Sequence, residues 1–569
     1  MNKSAKTLIL AGLLASSSLA VAPKNALVIQ ASGDIASLDP HQSFEGNGFS
    51  IMTNVFETLV TFEKNTSKLK PMLATAWTVS SDGKTYSFTL RQGVKFHSGN
   101  SFTCADAEYS LRRLLVTNNS TSPAFYLSDA IMGFPYWDDE NTKTTPFSKV
   151  SAAVQCDPSG KLILKLSRRE PVFLLRLTGP WGGIVDQQFA IGNGEWDGTE
   201  ATWKTVQGKE LTQSSFNRVS SGTGAYQMIS KESDQVIFKA NATYWGEKPK
   251  LENVIFKLIA EDSARVLAIK NADADFISYN ASSVLKQLTN VPGVTLLKQS
   301  NLSSSVLTFN QRINPKSKLV GSGKLDGKGI PSDFFADIHV RRGMALAFDQ
   351  NRYLKEALEG RGDLRTMAIP NSLPGYDPTI KLPTWNLEAA RNEFKLALNG
   401  RLWKNGFTFE GLTSTGTSDG LNALGLLREG LAKVNPKFKL NVRALSTTDL
   451  FPKFGNAEIP LVFVGNAAEV PDGDGLIRFF YSSSGTLAVH TNSSDAQIEK
   501  LIATLGNTQD LGKRAKLIAQ IGRRAAQIVP LICLPMPSNV SIFRSELKGL
   551  ENGNNPYRGT SLLWNFVSK

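Results

Sequence analysis

Residues that build metal and nucleophile sites are scarce in this sequence. The chain of 569 residues has four histidines and three cysteines, and it contains neither an HExxH nor a CxxC motif. No two histidines stand at the spacing of metal ligands, which excludes a zinc-hydrolase site. Beyond the N-terminus, no apolar run approaches the roughly 18 residues that span a bilayer. We therefore expect a protein with no metal, no other cofactor, no catalytic residues and no membrane span.

The overall composition is that of a globular protein. Hydrophobic residues make up 41% of the chain and charged residues 20%, with 46 glycines, which excludes a disordered or fibrous chain. The length predicts about two to four structural units. Lysine and arginine outnumber aspartate and glutamate by 63 to 50, a net charge of +13. The basic residues are scattered along the sequence rather than clustered with aromatic residues, so no nucleic-acid partner is expected.

Residues 1–22 have the three parts of a secretory signal peptide. Lysines precede the apolar run Leu8–Ala15, and small residues follow at cleavage spacing, at Ser18–Ala20 or at Ala20–Ala22. The apolar run is shorter than about 18 residues, so a cleaved signal is favoured over a membrane anchor. No cysteine follows the run, which excludes a lipobox. The sequence therefore predicts an exported, soluble protein of the periplasm or cell envelope.

Export would place the cysteines where disulfides persist. Cys104 and Cys156 could form a disulfide, which would leave Cys533 unpaired. Spacing alone does not decide the pairing, so the bonded and the free state both remain open. Cys533 lies in the apolar run Val529–Leu534, and we predict that it is a buried, hydrophobic residue.

Strand and helix patterns are interspersed along the chain. Apolar and polar residues alternate over Thr85–Leu90, as in a half-buried strand. Capping boxes at Thr103–Asp106 and Ser494–Gln497 predict the starts of two helices. This interspersion predicts an α/β fold.

A few short motifs resemble functional sites. The GxSxG string Gly416–Gly420 has the strand-to-helix context of a nucleophile elbow, with Ser418 as nucleophile and His490 downstream. The alternative is a turn of a kind common in α/β proteins. Asp472–Gly475 resembles the start of a calcium loop, but its later ligand positions are not acidic, which favours a turn. Gly321–Lys324 lacks the full phosphate-loop pattern and predicts a solvated loop.

A series of motifs resembles one family in order and spacing. The sequence is identified as a member of the extracytoplasmic solute-binding proteins of family 5, the peptide/opine/nickel class, which are the capture subunits of ABC importers. The matching motifs are Ser37–His41, Val55–Val60, Pro71–Trp77, Asp82–Arg91, Gly93–Gly99, Gly222–Tyr226, Tyr244–Gly246 and Val340–Asp349. Most of these residues are expected to be structural, because their glycines suit turns and their aromatic residues suit the core.

The resemblance implies an α/β periplasmic-binding-protein fold of the cluster C type, with two lobes. Lobe I would span residues 23–300, with an extra subdomain at about 60–180, and residues 536–569 would return to it. Lobe II would span residues 301–535. Strands near Asn301–Phe309 and Cys533–Asn539 would cross between the lobes, which would close over the ligand by hinge motion. The expected protein is a monomer that meets the ABC permease subunits at the membrane.

The resemblance also suggests ligand-binding residues. Glu469 stands shortly before Pro471–Asp474, where peptide-binding members carry the acid for the ligand's amine; the alternative is a solvated loop acid. Asn466 lies in the same loop, which lacks the tryptophan common in the family. The carboxylate of Glu469 would form a charge-assisted hydrogen bond with the ammonium group of the ligand.

In lobe I, Glu45, Gly46 and Asn47 resemble the segment that borders the ligand in oligopeptide binders, with a surface loop as the alternative. Tyr126 could line the pocket or belong to the core. Dipeptide-specific members carry an arginine for the ligand carboxylate, and the matching stretch Leu412–Asp419 has none. This absence argues for oligopeptides held by backbone pairing.

The sequence therefore predicts a peptide-binding subunit of an ABC importer and not an enzyme. An oligosaccharide, an opine or a nickel chelate remains open as the ligand, because the fold does not fix it. A secreted serine hydrolase that uses Ser418 and His490 is the alternative from another class.

Overall fold

The computed structural model describes residues 22–43, 45–64, 66–134, 144–279, 283–299, 302–553, 555 and 562–569. The expected signal peptide, apart from Ala22, lies outside these residues. Across the described ranges, no helix combines the length and the apolar character needed to cross a membrane.

The chain divides into two compact units. Unit 1 comprises the described residues of Met1–Arg169, Arg176–Lys298 and Val540–Lys569, and unit 2 comprises Glu170–Leu175 and Gln299–Asn539. The main divisions fall within two strands, one at each end of the long segment of unit 2.

The strands in the described residues are numbered in chain order. Those up to the first main division are β1 Ala26–Ala31, β2 Val60–Phe62, β3 Leu69–Pro71, β4 Ala74–Val79, β5 Thr85–Leu90, β6 Val154–Cys156, β7 Leu162–Lys165, β8 Tyr226–Lys231, β9 Gln235–Ala240, β10 Asn253–Leu258, β11 Phe276–Ile277 and β12 Val294–Gln299. The later strands are β13 Ser303–Phe309, β14 Gly362–Asp363, β15 Phe407–Ser414, β16 Phe438–Leu445, β17 Leu461–Ala467, β18 Leu531–Cys533, β19 Met536–Pro537 and β20 Asn539–Arg544.

The helices are numbered in the same way. The earlier ones are α1 Gly46–Val55, α2 Cys104–Val116, α3 Phe125–Met132, α4 Phe147–Ala153, α5 Phe173–Arg176, α6 Gln187–Gly192, α7 Asp262–Asn271 and α8 Ser283–Leu288. The later ones are α9 Ile338–Leu346, α10 Gln350–Arg352, α11 Leu387–Leu396, α12 Arg401–Asn405, α13 Ser418–Val434, α14 Thr447–Gly455, α15 Asp474–Tyr481, α16 Thr486–Thr491, α17 Ala496–Asn507, α18 Leu511–Ile528 and α19 Leu550–Gly553.

The main sheet of unit 1 has seven strands in the order β12-β20-β11-β1-β10-β9-β8. Strand β1 is parallel to both β10 and β11. Every residue of β1 is buried, which matches its nearly continuous apolar sequence, because a parallel strand inside a sheet is covered on both faces.

A buried charge cluster links α2 to the chain segment that follows β1. The guanidinium of Arg113 is fully buried and lies 2.6 Å from carboxylate oxygens of both Asp39 and Glu195. Arg113 also donates to Nδ1 of His41 at 3.0 Å. Burial, together with the nearby Arg113 charge, lowers the pKa of His41 to about 4. The motif Ser37–His41 therefore supplies the acid and the neutral imidazole that stabilise a buried cation.

A second sheet of unit 1 has the order β4-β5-β7-β6. Strand β5 covers the predicted alternating segment, and its residues Tyr86, Phe88 and Leu90 are buried. Helix α2 begins with the predicted capping box of Thr103 and Asp106.

The disulfide that the sequence left open is present. Cys104 and Cys156 are bonded, with Cα atoms 6.0 Å apart, and the bond joins the first residue of α2 to β6. Cys533 is a buried free cysteine, as predicted.

Unit 2 contains a five-stranded sheet in the order β16-β15-β17-β13-β18. Strand β15 is parallel to β16 and to β17. A core of phenylalanines, including Phe394, Phe407 and Phe438, lies between this sheet and the helices that cover it. The predicted capping box at Ser494–Gln497 is wrong by one residue, because Asp495 caps α17 by accepting from the amide of Ile498.

We predict that the Cys104–Cys156 disulfide contributes about 3–4 kcal/mol to the free energy of unfolding, because it closes a long loop in the unfolded chain. Replacing both cysteines by serine should lower that free energy in denaturant titrations. Reductant should destabilise the wild type by a similar amount and leave the double variant unchanged. Equal stability of the reduced and oxidised wild type would contradict this prediction.

Candidate functional site

Glu45 caps the first helix of unit 1. Its Oε2 accepts the amide hydrogen of Gly48 at 2.5 Å, whereas its buried Oε1 has no hydrogen-bond partner among the described residues. A side chain at position 48 would collide with this carboxylate, since a Cβ there would lie 2.6 Å from Oε1. Burial raises the pKa of Glu45 above its ordinary value. Among the described residues, Oε1 is thus an acceptor atom without a hydrogen bond.

Gly46 and Asn47 form the start of α1, next to Glu45. The side-chain nitrogen Nδ2 of Asn47 donates to the carbonyl oxygen of Ser32 at 2.8 Å and to that of Asp34 at 3.3 Å. These bonds fix the start of the helix against the segment that follows β1. The Nδ2 atom of Asn47 is therefore hydrogen-bonded to the protein's own backbone.

Tyr126 belongs to a row of aromatic rings that leads back to α1. Its ring stacks on Trp181 at 3.9 Å between centroids, and Trp181 meets Phe49 edge-on at 5.7 Å. The amide of Phe49 donates to the carbonyl oxygen of Glu45 at 2.9 Å. The structure therefore brings Tyr126 and the Glu45–Asn47 segment into one neighbourhood of unit 1. Tyr126 is half-buried, so its exposure lies between that expected for a pocket-lining residue and that expected for a core residue.

In unit 2, Asn466 and Glu469 lie at the carboxyl end of β17. Asn466 is paired with Ser304 of β13, and its side-chain oxygen accepts from the amide of Ala467 at 2.9 Å. The side chain of Glu469 is exposed. Strands β15, β16 and β17 run parallel, so the turns that follow all three lie at the same edge of the sheet.

That edge is rich in hydroxyl groups. The Ser414 and Thr417 hydroxyls lie 2.7 Å apart, and the hydroxyl of Ser446 donates to Asp449 at 2.7 Å and lies 2.8 Å from that of Thr448. Ser446 and Thr448 were not predicted from the sequence as site residues. The available signal is the position of Ser446 directly after β16, whereas Thr448 lies in the first turn of α14.

The acidic run after Glu469 has a structural role. Asp472 accepts two hydrogen bonds at 2.9 Å from the buried guanidinium of Arg514, and Asp474 accepts a third at 3.1 Å. These contacts account for the residues that resemble a calcium loop. In the described part of the chain, no group of acidic, histidine or cysteine side chains could hold a metal ion.

The GxSxG string forms the predicted strand-to-helix turn. Ser418 is the first residue of α13, and Gly416 has a φ of +83°, a backbone conformation that favours glycine. His490 lies in α16, and its ring packs against Phe454 at 5.0 Å. In the described structure, the side chains of Ser418 and His490 are not hydrogen-bonded to each other. A serine nucleophile needs such a bond to a base.

Glu57 connects three of the family motifs inside unit 1. Its carboxyl group accepts from the hydroxyl of Tyr244 at 2.7 Å, from the indole nitrogen of Trp245 at 2.7 Å and from the hydroxyl of Thr223 at 2.8 Å. Burial raises the pKa of Glu57 to about 7 despite these donors. The residue borders a cavity of about 310 Å³, whose other walls include Lys64 and Arg91. These contacts agree with the structural role expected for most residues of the family motifs.

Comparison with known proteins identifies the family. The family of bacterial extracellular solute-binding proteins, family 5 middle, matches residues 68–487. The chain belongs to this family. Di/tripeptide-binding protein 1 of Pseudomonas aeruginosa (strain UCBPP-PA14) is a relative with 24% identity over 582 residues, which cover 96% of this chain and 97% of that protein.

Solved structures of similar proteins have the same fold. HbpA2 from Haemophilus parasuis matches with a TM-score of 0.75 and 20% identity, over 96% of this chain and 99% of that one. The periplasmic binding protein DppA from Helicobacter pylori, in complex with the peptide STSA, matches with a TM-score of 0.66 and 20% identity, over 97% and 98% of the two chains. The predicted family and the predicted two-lobed α/β fold class are therefore confirmed.

The raised pKa of Glu57 makes a prediction about stability. A carboxyl group that holds its proton more tightly in the folded state stabilises that state at low pH, and this contribution is lost as the pH rises from about 4.5 to about 7. We expect the free energy of unfolding of the wild type to fall by about 2–3 kcal/mol more than that of Glu57→Gln between pH 5 and pH 8. The measurement is denaturant unfolding at several pH values.

The exposed residue Glu200 offers a matched control. Glu200→Gln should leave the pH profile of the wild type unchanged. Parallel profiles for the wild type and Glu57→Gln would show that Glu57 ionises normally in the folded protein.

Proposed function

We propose that this chain is the solute-binding subunit of an ABC importer and that it captures short peptides. The observation that carries the proposal is the match to family 5, together with full-length similarity to a di/tripeptide-binding protein. The relatives are binding proteins, and we propose that this chain has no enzymatic activity. Export by the N-terminal segment and delivery of peptide to the permease complete the proposed role.

Glu469 is the proposed anchor for the peptide's amino group. It lies at the carboxyl edge of the unit 2 sheet, and its side chain is exposed in the structure. A carboxylate that meets an ammonium group forms a charge-assisted hydrogen bond, about twice as strong as a neutral one. The neighbouring acids Asp472 and Asp474 are paired with Arg514, so we do not propose them as ligands for the amino group.

We further propose that Glu45 binds a hydrogen-bond donor of the ligand in unit 1. The support is the buried Oε1, which has no partner among the described residues. A buried acceptor without a donor costs about 1–3 kcal/mol, and a ligand N–H group would recover this free energy. Gly46 and Asn47 would border the ligand through their backbone, and Tyr126 would contribute its ring.

Selectivity for the side chains of the peptide is proposed to be broad. The turn from Ser414 to Asp419 contains hydroxyl groups and an acid but no arginine for a peptide carboxylate. Recognition of the peptide backbone by strand ends, such as that of β17, would not depend on the side chains of the ligand. This feature favours oligopeptides over strict dipeptide binding.

The first test is native mass spectrometry of the purified protein. We expect co-purified peptides, or an increase in the melting temperature when a mixture of short peptides is added. An oligosaccharide, an opine or a nickel chelate as the bound species, without a response to peptides, would overturn the peptide assignment and leave the importer role intact. Hydrolysis of peptides or esters that is lost in Ser418→Ala would instead support the alternative, a secreted serine hydrolase.

The second test concerns Glu469. Replacement of Glu469 by alanine should weaken binding of a peptide with a free amino group by about tenfold or more, because a charge-assisted bond is lost. Binding of the same peptide after N-acetylation should change little. Isothermal titration calorimetry gives both affinities.

Glu388 is a suitable control, since it is an exposed acid in unit 2. Glu388→Ala should leave both affinities unchanged. Equal losses for the free and the acetylated peptide in Glu469→Ala would show that Glu469 only supports the fold of the loop.

A further inference from the structure

Unit 2 carries an exposed, positively charged surface that the sequence did not predict. We call this surface the basic face. All of its cationic side chains are exposed, and they are Lys324, Lys328, Lys395, Arg401, Lys404, Lys433, Lys437 and Lys439. In the sequence they lie in three separate segments, which explains why the basic residues seemed scattered.

Strand pairing brings two of these segments together. Strands β15 and β16 are parallel, with Phe407 opposite Phe438 and Thr408 opposite Lys439. The residues that precede both strands therefore lie side by side at the amino edge of the sheet. A direct contact confirms this, because the amine of Lys437 donates to the carbonyl oxygen of Lys404 at 2.9 Å.

The third segment is a loop that is hydrogen-bonded to the start of β15. The side chain of Asn405 donates to the carbonyl oxygen of Leu325 at 2.8 Å, and the hydroxyl of Thr408 donates to that of Gly327 at 2.8 Å. Lys324 and Lys328 flank these two contacts. The loop thus adds its lysines to the same edge.

Carboxylates are scarce around the basic face. The segments 394–409 and 430–442 contain no aspartate or glutamate. The loop with Lys324 and Lys328 contains one acid, Asp326, which accepts from the Ser322 hydroxyl at 2.7 Å and from the backbone amide of Lys328 at 2.9 Å. Nearby acids are engaged elsewhere: Glu393 with His339 at 2.7 Å, Glu410 with Arg443 at 3.3 Å and Glu429 with Arg352 at 2.5 Å. Within the described ranges, no cation of the basic face forms an ion pair.

Helix dipoles explain only part of this arrangement. Lys395, Lys404 and Lys433 lie in the last turns of α11, α12 and α13, where a cation is favourable. Lys437 and Lys439 are not in a helix, and Arg401 is at the wrong end of one. Their mutual repulsion is a cost that an external anion would offset.

Apolar groups lie among the cations. Leu396 is 59% exposed, directly after Lys395. Trp403 is half-buried, and the amine of Lys395 lies 5.4 Å from its ring centroid. An exposed leucine and a half-buried tryptophan beside lysines suit a surface that is both anionic and partly apolar, such as the headgroup region of a membrane.

We propose that the basic face binds a membrane surface that contains anionic phospholipids. Each lysine or arginine near such a surface contributes about 1 kcal/mol, and the contribution decays within a Debye length. The choice of a membrane over nucleic acid rests on the proposed export of the chain. Binding would keep the protein close to the membrane in which its permease lies.

The test is co-sedimentation of the full-length mature protein with lipid vesicles. We expect binding to vesicles of phosphatidylcholine with phosphatidylglycerol, little binding to phosphatidylcholine alone, and weaker binding at about 150 mM salt than at low salt. The triple variant Lys404→Gln, Lys437→Gln, Lys439→Gln should lose at least tenfold in vesicle affinity. The triple variant Lys95→Gln, Lys204→Gln, Lys209→Gln is the matched control, with the same charge change at exposed positions of unit 1.

The control variant should bind vesicles within about twofold of the wild type, because it retains the basic face. Equal losses in both variants would overturn the proposal, since net charge alone would then explain binding. Tighter binding to a DNA duplex than to anionic vesicles would also overturn it. Peptide-induced thermal stabilisation, measured on each variant, reports folding and the peptide function separately from lipid binding.

Discussion

The guanidinium of Arg113 is completely buried, and its charge must be matched inside unit 1. Asp39 and Glu195 supply the matching carboxylates from distant parts of the sequence. Unit 2 has a counterpart, in which Arg514 is held by Asp472. Removal of one partner from such a group would leave an uncompensated buried charge, which is costly in a low-dielectric interior. These ion pairs therefore hold in place the segments next to the two candidate site regions, around Glu45 in unit 1 and around Glu469 in unit 2.

Local features of the fold could be predicted from the sequence, because their causes are local. The alternation in β5 and the capping box at Thr103 involve neighbouring residues only. The cap at Asp495 was predicted one residue early, since Ser494 is an equally good capping residue by composition. The disulfide between Cys104 and Cys156 depends on the packing of α2 against β6, and spacing carries no information about that packing.

The site was only partly predictable. The resemblance supplied Glu45 and Glu469, and the proximity of Tyr126 to Glu45 emerged from the packing of Trp181 and Phe49. Ser446 was missed because its role depends on which strands are parallel neighbours. The basic face was missed for the same reason: its cations lie in three separate segments, which meet through the pairing of β15 with β16 and through a loop that is hydrogen-bonded to the start of β15.

The position of β20 has a consequence for the synthesis of the chain. This strand, which follows the long segment of unit 2, lies between β12 and β11 in the sheet of unit 1. Asn54, in α1, is likewise hydrogen-bonded to Leu562 and Trp564 near the end of the chain. Unit 1 therefore cannot complete its sheet until almost the whole polypeptide has left the ribosome. A growing chain with this topology keeps the sheet of unit 1 incomplete until its C-terminal strand is available.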